Sequence, residues 1–462
     1  MSDGIVLTGL PGAGKTTVGR LVARRLGRAF VDIDDEIARL DGRRPHVVLA
    51  EDGEPKLREI ERHAVSIAIK SKASVISTGG GTFVDPLNRW LLMEHGVRVR
   101  LETPIPELAA RLLADAETPR PLLTGDLEGG LERTREARAA EYAAVDAVID
   151  SSRAAEIVAD EVIALAACRS GWRPLLDARF ARHVPFGPER GRLLMGRRLS
   201  TEVISDVVGS RIPVVIADRV ALNANPLVGD AFAHRPMCVM DGGEQVKTMA
   251  RLEELLAWLS ELQVERDDPL VVVGGGTIGD LGGLAAALHR RGIPLVNVPT
   301  TWLAQADSAI GGKVAVDLPA AKNGVGTFWP ACAIVDDADV LASLPIDSRR
   351  NGIAECLKAG LIGDPLLWEL VEKRGVDAVD GSDAAATFAM TERAVRVKLE
   401  IVDRDPFESG ERRKLNLGHT LGHALEVESG YSLAHGAAVA LGLRAVAVIA
   451  LGRGAQADLA ER

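Results

Sequence analysis

The chain has 462 residues, 47% of them hydrophobic and 26% charged, with a formal net charge of −10. That length allows about three domains with sizeable cores. The acidic balance and a 3% aromatic content argue against a nucleic-acid partner, which would ask for a basic face and stacking rings.

The four cysteines, Cys168, Cys238, Cys332 and Cys356, have no paired spacing and read as reduced thiols in the cytoplasm. No run of eighteen apolar residues occurs, and the N-terminus enters GIVLTGL directly. Neither a membrane span nor a signal peptide is therefore expected.

Up to about residue 165, short apolar runs (IVLTGL, VISTGGG, VRVRLET) alternate with helical patterns, the rhythm of βα units around a parallel sheet. GLPGAGKT, Gly9 to Thr16, fits G-x4-G-K-[ST] between a strand and a helix, the context a phosphate-binding loop needs. Its glycines let backbone N–H groups turn inward around phosphate. Lys15 would neutralise the outer phosphates and the Thr16 hydroxyl could coordinate Mg²⁺. The bland reading is a glycine-rich turn, which the full eight-residue pattern disfavours. FVDIDDEI sets Asp32 and Asp34 on alternate residues of an expected second strand, so both would share one face at its end.

GEPKLREIE, TGGGT, TPRPLL and REARAAEY then follow in order. With the loop and the aspartates, they resemble the shikimate kinase family over residues 1–165. The resemblance implies ATP held by Gly12, Ala13, Gly14, Lys15, Thr16 and Thr17, with Arg120 on a lid. It implies shikimate held by Asp34, Arg58, Gly79, Gly80, Gly81 and Arg138, with Asp34 taking the attacking hydroxyl and Asp32 near the Mg²⁺ shell. A paired guanidinium receiver suits a carboxylate. Leu57 and Ala140 depart from the family pattern without removing a charge.

GWRPLLDARFARHVPFGPERG, residues 171–191, breaks the rhythm, and a linker is expected near 167–175. VVIAD, MCVMDGGE, LVVVGGG, PLVNVPTT and CAIVDDA are strand candidates of a second alternation, and long Ala-rich helical segments follow from about residue 347. VVVGGGTIGDLGG, residues 271–283, permits close backbone approach to a pyrophosphate, although a tight turn explains it as well. LNLGHTLGHALE sets His419 and His423 four apart. That is compatible with a shared metal, with separate roles, or with structural histidines.

From about residue 175 onward these segments, with DGGEQVK, NVPTTWLAQADSAIGGK, PAAKNGVG, GIAECLKAG and LAHGAAVALG, resemble the 3-dehydroquinate synthase family. The resemblance implies Zn²⁺ (or another divalent ion such as Co²⁺) on Glu355, His419 and His435, with His423 a substrate contact and proton relay. It implies NAD held by Glu244, Lys247, Gly275, Gly276, Gly279, Asp280, Thr300, Thr301, Lys313, Lys322 and Ser343. For the substrate, 3-deoxy-D-arabino-heptulosonate 7-phosphate, it implies Asp307, Lys313, Asn323, Lys358, Lys398, Arg412, Asn416, His423 and, across a homodimer interface, Arg291. Lys313 and Lys358 would also act catalytically. The implied chemistry uses and regenerates NAD, eliminates phosphate and closes a carbocycle. Family members run on beyond the segment that here ends at Arg462, so a shortened C-terminal domain is expected.

The expected fold is α/β: a P-loop kinase domain with a parallel sheet (1–168), a Rossmann-like NAD-binding α/β domain (175–346) and an all-α metal-binding domain (347–462). The expected protein is a cytoplasmic bifunctional enzyme of aromatic amino-acid biosynthesis, dimeric through its synthase half. It would need no nucleic acid or membrane. The alternatives are a kinase fused to an inactive, zinc-holding half or to a sugar-phosphate cyclase of other specificity.

Overall fold

Ile5, Val6 and Leu7 are fully buried, as a strand covered on both faces requires. They lie in β1 (Gly4–Thr8), the middle strand of the first sheet. With β2 (Phe30–Asp32), β3 (Val75–Ser77), β4 (Gly96–Glu102) and β5 (Ala147–Asp150) it forms a sheet of order β2-β3-β1-β4-β5, parallel throughout. β1 is where successive crossovers change side, and ligands bind such sheets at that point.

This computed structural model describes residues 4–71, 73–114, 126–166, 171–184, 188–319, 321–430 and 432–454. The chain separates into two compact units, Met1–Ala178 and Arg179–Arg462. One sequence expectation needs correction here. β2 ends at Asp32, and Asp34 lies in the first turn of helix Ile33–Asp41. The Asp32 side chain accepts from the Asp34 N–H at 3.1 Å. This helix cap outweighs the alternating pattern.

The second sheet contains β6 (Arg173–Ala181), β7 (Arg190–Arg197), β8 (Val214–Asp218), β9 (Met237–Met240), β10 (Leu270–Gly274), β11 (Leu295–Pro299) and β14 (Ala333–Asp337), in the order β6-β7-β14-β11-β10-β8-β9. From β7 to β9 the pairing is parallel. Crossovers reverse between β8 and β10, so the glycine turn after β10 opens at a switch point. β12 (Lys313–Leu318) and β13 (Ala321–Phe328) form a separate antiparallel hairpin.

From Ile346 the described chain is helical, with helices Ile346–Gly363, Pro365–Asp380, Ala384–Arg404, His419–Glu428 and His435–Gly452. Among the described residues, His435–Gly452 alone is long and apolar enough to cross a membrane by length and composition. That qualifies the expectation of no span, although core helices of other proteins pass the same measure.

Candidate functional site

The glycine loop after β1 is shaped by left-handed backbone at Gly12 (φ 83°) and Gly14 (φ 86°), which glycine adopts without penalty. It feeds helix Lys15–Leu26, whose N-terminal N–H groups favour phosphate. Lys15 Nζ donates to the Gly9 and Leu10 carbonyls at 3.0 Å, and Thr16 Oγ1 donates to Asp32 Oδ2 at 2.7 Å. Gly12, Lys15, Thr16, Thr17, Asp32, Asp34, Arg58, Gly79, Gly80, Gly81 and Arg138 line one cleft of about 800 Å³. Arg120 lies outside the described residues.

Asp34 sits at this cleft with its pKa raised to about 6, because burial and the neighbouring Asp32 outweigh the attraction of Lys15. Arg58 is held by Glu61 at 2.6 Å and Glu54 at 2.9 Å. Arg138 donates to the Gly80 carbonyl at 2.6 Å. A Cβ at Gly81 would overlap the Arg58 guanidinium, and one at Gly79 would come within 2.7 Å of Asp34 Oδ1. The TGGGT run therefore lets backbone pass beside both charged groups. Glu61, three residues after Arg58 in GEPKLREIE, stands out in the sequence beside that arginine but without a role of its own. It is buried and holds Arg58 and Thr82 together.

In the second unit, Gly275 precedes helix Gly276–Leu288 with no side-chain cap, leaving its first N–H groups open to an acceptor. Gly274, Gly275, Gly276, Gly279, Asp280 and Lys313 line one small cavity. A Cβ at Gly279 would meet nothing, whereas one at Gly275 would press on Thr301. Lys247 pairs with Asp280 at 2.6 Å and donates to Asn323. Lys322 pairs with Glu244 at 3.2 Å. Thr300 N–H donates to the Gly274 carbonyl at 3.0 Å. Ser343 bonds Val340 and Asn225. The open helix N-terminus and the adjoining cations are a donor set that suits a pyrophosphate.

Glu355, His419 and His435 converge from three helices, with one ligand atom of each within 4.8 Å of the others. Glu355 Oε1 lies 3.4 Å from His435 Nε2 and 3.6 Å from His419 Nε2. Glu355 is buried and neither of its oxygens completes a well-angled hydrogen bond. Lys358 ion-pairs with Oε2, leaving Oε1 to face the imidazoles. A buried carboxylate oxygen beside two ring nitrogens fits a divalent cation with three protein ligands. Burial, and then the charge of Lys358, keeps the His419 pKa below its ordinary value, favouring the neutral ring that binds metal.

Around this trio lie Lys358, 3.8 Å from Asp307, and Lys398, 2.6 Å from it. Arg412 donates to the Gly311 carbonyl at 2.8 Å. Asn416 donates to Glu408 at 2.7 Å, and Lys313 ion-pairs with the same carboxylate. His423, with a 58% exposed side chain, has its ring centroid 5.3 Å from that of His419. Arg291 is exposed, with φ 66°, in a turn after helix Gly276–Leu288. Among the described residues, no ion pair joins it to the trio. Glu408 and Glu426 escaped the sequence reading. Glu426, three residues after His423 on one helix, could have been found from its spacing.

Comparison with known proteins places family resemblances on the same segments. The family model for shikimate kinase matches residues 11–167. Those for the N-terminal and C-terminal parts of 3-dehydroquinate synthase match 237–351 and 352–461. The 3-dehydroquinate synthase of Caulobacter vibrioides (strain NA1000 / CB15N) is 40% identical over 282 residues, covering 57% of this chain and 74% of that protein. That of Xanthomonas campestris pv. campestris (strain 8004) is 45% identical over 211 residues, covering 44% of this chain and 57% of its own length. The chain thus spans just over half of such a relative.

Among solved structures, ValA, a 2-epi-5-epi-valiolone synthase from Streptomyces hygroscopicus subsp. jinggangensis 5008 with NAD⁺ and Zn²⁺ bound, superposes with TM-score 0.55 at 30% identity, covering 60% of this chain and 80% of that one. A 2-deoxy-scyllo-inosose synthase with carbaglucose-6-phosphate, NAD⁺ and Co²⁺ gives 0.53 at 26%, covering 62% and 78%.

Proposed function

The chain belongs to the 3-dehydroquinate synthase family, and from that premise we propose that it is a bifunctional enzyme of the shikimate pathway. Its first unit phosphorylates shikimate to shikimate 3-phosphate with ATP. Its second converts 3-deoxy-D-arabino-heptulosonate 7-phosphate to 3-dehydroquinate and phosphate. The observation that carries the synthase reading is the convergence of Glu355, His419 and His435 beside the buried cations Lys358, Lys398 and Arg412. A doubly anionic substrate needs such a set of cations at a metal.

In the kinase cleft, Asp34 accepts the proton of the attacking hydroxyl. Lys15 and the loop amides hold phosphate, and Arg58 and Arg138 hold the carboxylate. Phosphoryl transfer asks mainly for this positioning and charge neutralisation.

When bound in the second unit, NAD supplies a hydride acceptor and the divalent ion Lewis acidity. Lys358 balances Glu355 and Asp307, Lys398 and Arg412 receive substrate anions, and His423 moves a proton at its exposed ring. Glu408 keeps Lys313 and Asn416 together beside them. Arg291, exposed on its turn, reaches the site of a second copy in a homodimer. ATP as a substrate and NAD as a recycled cofactor suit a cytoplasmic location. A cyclase of other specificity is disfavoured: the relatives at 40–46% identity bear the 3-dehydroquinate synthase name, against 26–30% for the other cyclases.

The test is phosphate release from the heptulosonate phosphate by the purified chain with NAD and Zn²⁺, beside ATP-dependent phosphorylation of shikimate. His435→Ala should abolish the first and spare the second, and Lys15→Ala should do the reverse. Loss of both activities in either variant would refute two independent sites.

A further inference from the structure

His419 and His435 both present Nε2 to Glu355 Oε1, so with a divalent ion held among them each would keep its proton on Nδ1 and offer its lone pair on Nε2. For His419 the partner of Nδ1 is a backbone carbonyl, Leu417 O, at 3.1 Å. For His435 it is a side chain: Glu426 Oε1 lies 3.3 Å from Nδ1. Glu426 is only 4% exposed, on helix His419–Glu428.

Seven residues after His419 and three after His423, Glu426 occupies the same face of that helix as both histidines. It ties three groups together. Oε1 faces His435 and, at 3.9 Å, the ammonium of Lys322. Oε2 lies 4.0 Å from His423 Nε2. Lys322 in turn pairs with Glu244 beside the glycine turn, so a cation balances the buried charge.

We propose that Glu426 is a positioning residue. By accepting from His435 Nδ1 it fixes the tautomer and ring orientation with which His435 Nε2 meets the metal, and it is not itself a ligand. This rests on the metal reading above. A second trio of potential ligand atoms, His423, Glu426 and His435, also falls within 4.8 Å. Its imidazole His423 stands largely in solvent, however, whereas Glu355 is buried. A ligating histidine characteristically donates its other N–H to a carboxylate or carbonyl, and losing that partner weakens metal binding by about 10–100-fold.

The test uses the full chain freed of metal by a chelator and titrated with Co²⁺ against a competing chelator, while the visible absorption of the bound ion is recorded. Near-ultraviolet circular dichroism reports folding. Glu426→Ala should bind one Co²⁺ about 10–100 times more weakly than the unaltered chain, with the shape of the visible band retained. Glu426→Gln keeps an oxygen acceptor for Nδ1–H and should lose less than Glu426→Ala.

Binding by Glu426→Ala within twofold of the unaltered chain would overturn the proposal. So would a changed visible band in Glu426→Ala, or loss of Co²⁺ in His423→Ala, because either would make the second trio the site. Should Glu426→Ala fail to fold, Glu426→Gln decides: a measurable weakening supports the positioning role and unchanged affinity refutes it. Failure of the unaltered chain to bind Co²⁺ in a His435-dependent way would instead sink the metal reading itself.

Discussion

On the proposed reading, Asp34 makes the cleft of the first unit both reactive and less stable. Its carboxyl rises from 3.8 to about 6 through burial and the charge of Asp32, with Lys15 opposing. At about 1.4 kcal/mol per unit that shift amounts to about 3 kcal/mol. Asp34 keeps some solvent contact at the cleft, so screening reduces the figure to about 1–3 kcal/mol.

The sign follows from the direction. A carboxyl whose folded pKa is raised favours the fold below about pH 4, and that contribution is lost as pH climbs through 6. Asp34→Asn, which removes the charge, should therefore stabilise the first unit at pH 7.5 by about 1–3 kcal/mol, or roughly 2–12 °C in Tm for a unit of this size. The same variant should lose shikimate phosphorylation by about 100-fold or more. The unaltered enzyme should lose kcat/KM for shikimate as pH falls through 6. Calorimetry of both proteins at pH 7.5 and pH 4, with a kinase assay, provides the check. A Tm that is unchanged or lower in Asp34→Asn at pH 7.5, or a gap that does not shrink toward pH 4, would refute the reasoning.

Two further perturbations probe the second unit. Asp336 on β14 is buried with neither carboxylate oxygen hydrogen-bonded, and burial holds its pKa well above the ordinary value. Asp336→Val should stabilise by about 1–3 kcal/mol, more at pH 8 than at pH 5 since ionisation costs more as pH rises; urea unfolding at both values tests this. Lys358→Met leaves Glu355 without its buried partner and should destabilise by about 3–5 kcal/mol, read as a fall in the denaturation midpoint of the second unit.

What was legible in the sequence was whatever is local. The phosphate-binding loop occupies eight consecutive residues, Gly9 to Thr16, and its geometry follows from glycine φ angles within that stretch. Strands β8, β10, β11 and β14 stood out as apolar runs because both faces of the sheet are covered there, and the half-buried edge strand β9 as a shorter one. Strands β6 and β7 did not. Their arginines mimic a polar linker, yet Arg173 spends its charge on the Gly96 carbonyl at 2.9 Å and Arg192 on Asp206. The β12–β13 hairpin was missed for the opposite reason: β13 is mostly exposed, so no apolar run marks it.

The sites divide along the same line. No periodicity relates Glu355 to His419 and His435, which come from three helices, so only family resemblance could join them before the fold did. Acidic residues that serve cations were harder still. Glu61, Glu408 and Glu426 each contact a group that the sequence had singled out: Arg58, then Lys313 with Asn416, then His435. A carboxylate of this kind has no motif of its own, because any backbone that brings it within about 3 Å of its partner suffices. Burial distinguishes Glu61 and Glu426 from ordinary surface acids. Both are under 5% exposed, and an unpaired charge there would be costly enough to shift or expel it. A buried glutamate beside a legible cation or imidazole is therefore the place where further parts of such a site are to be sought.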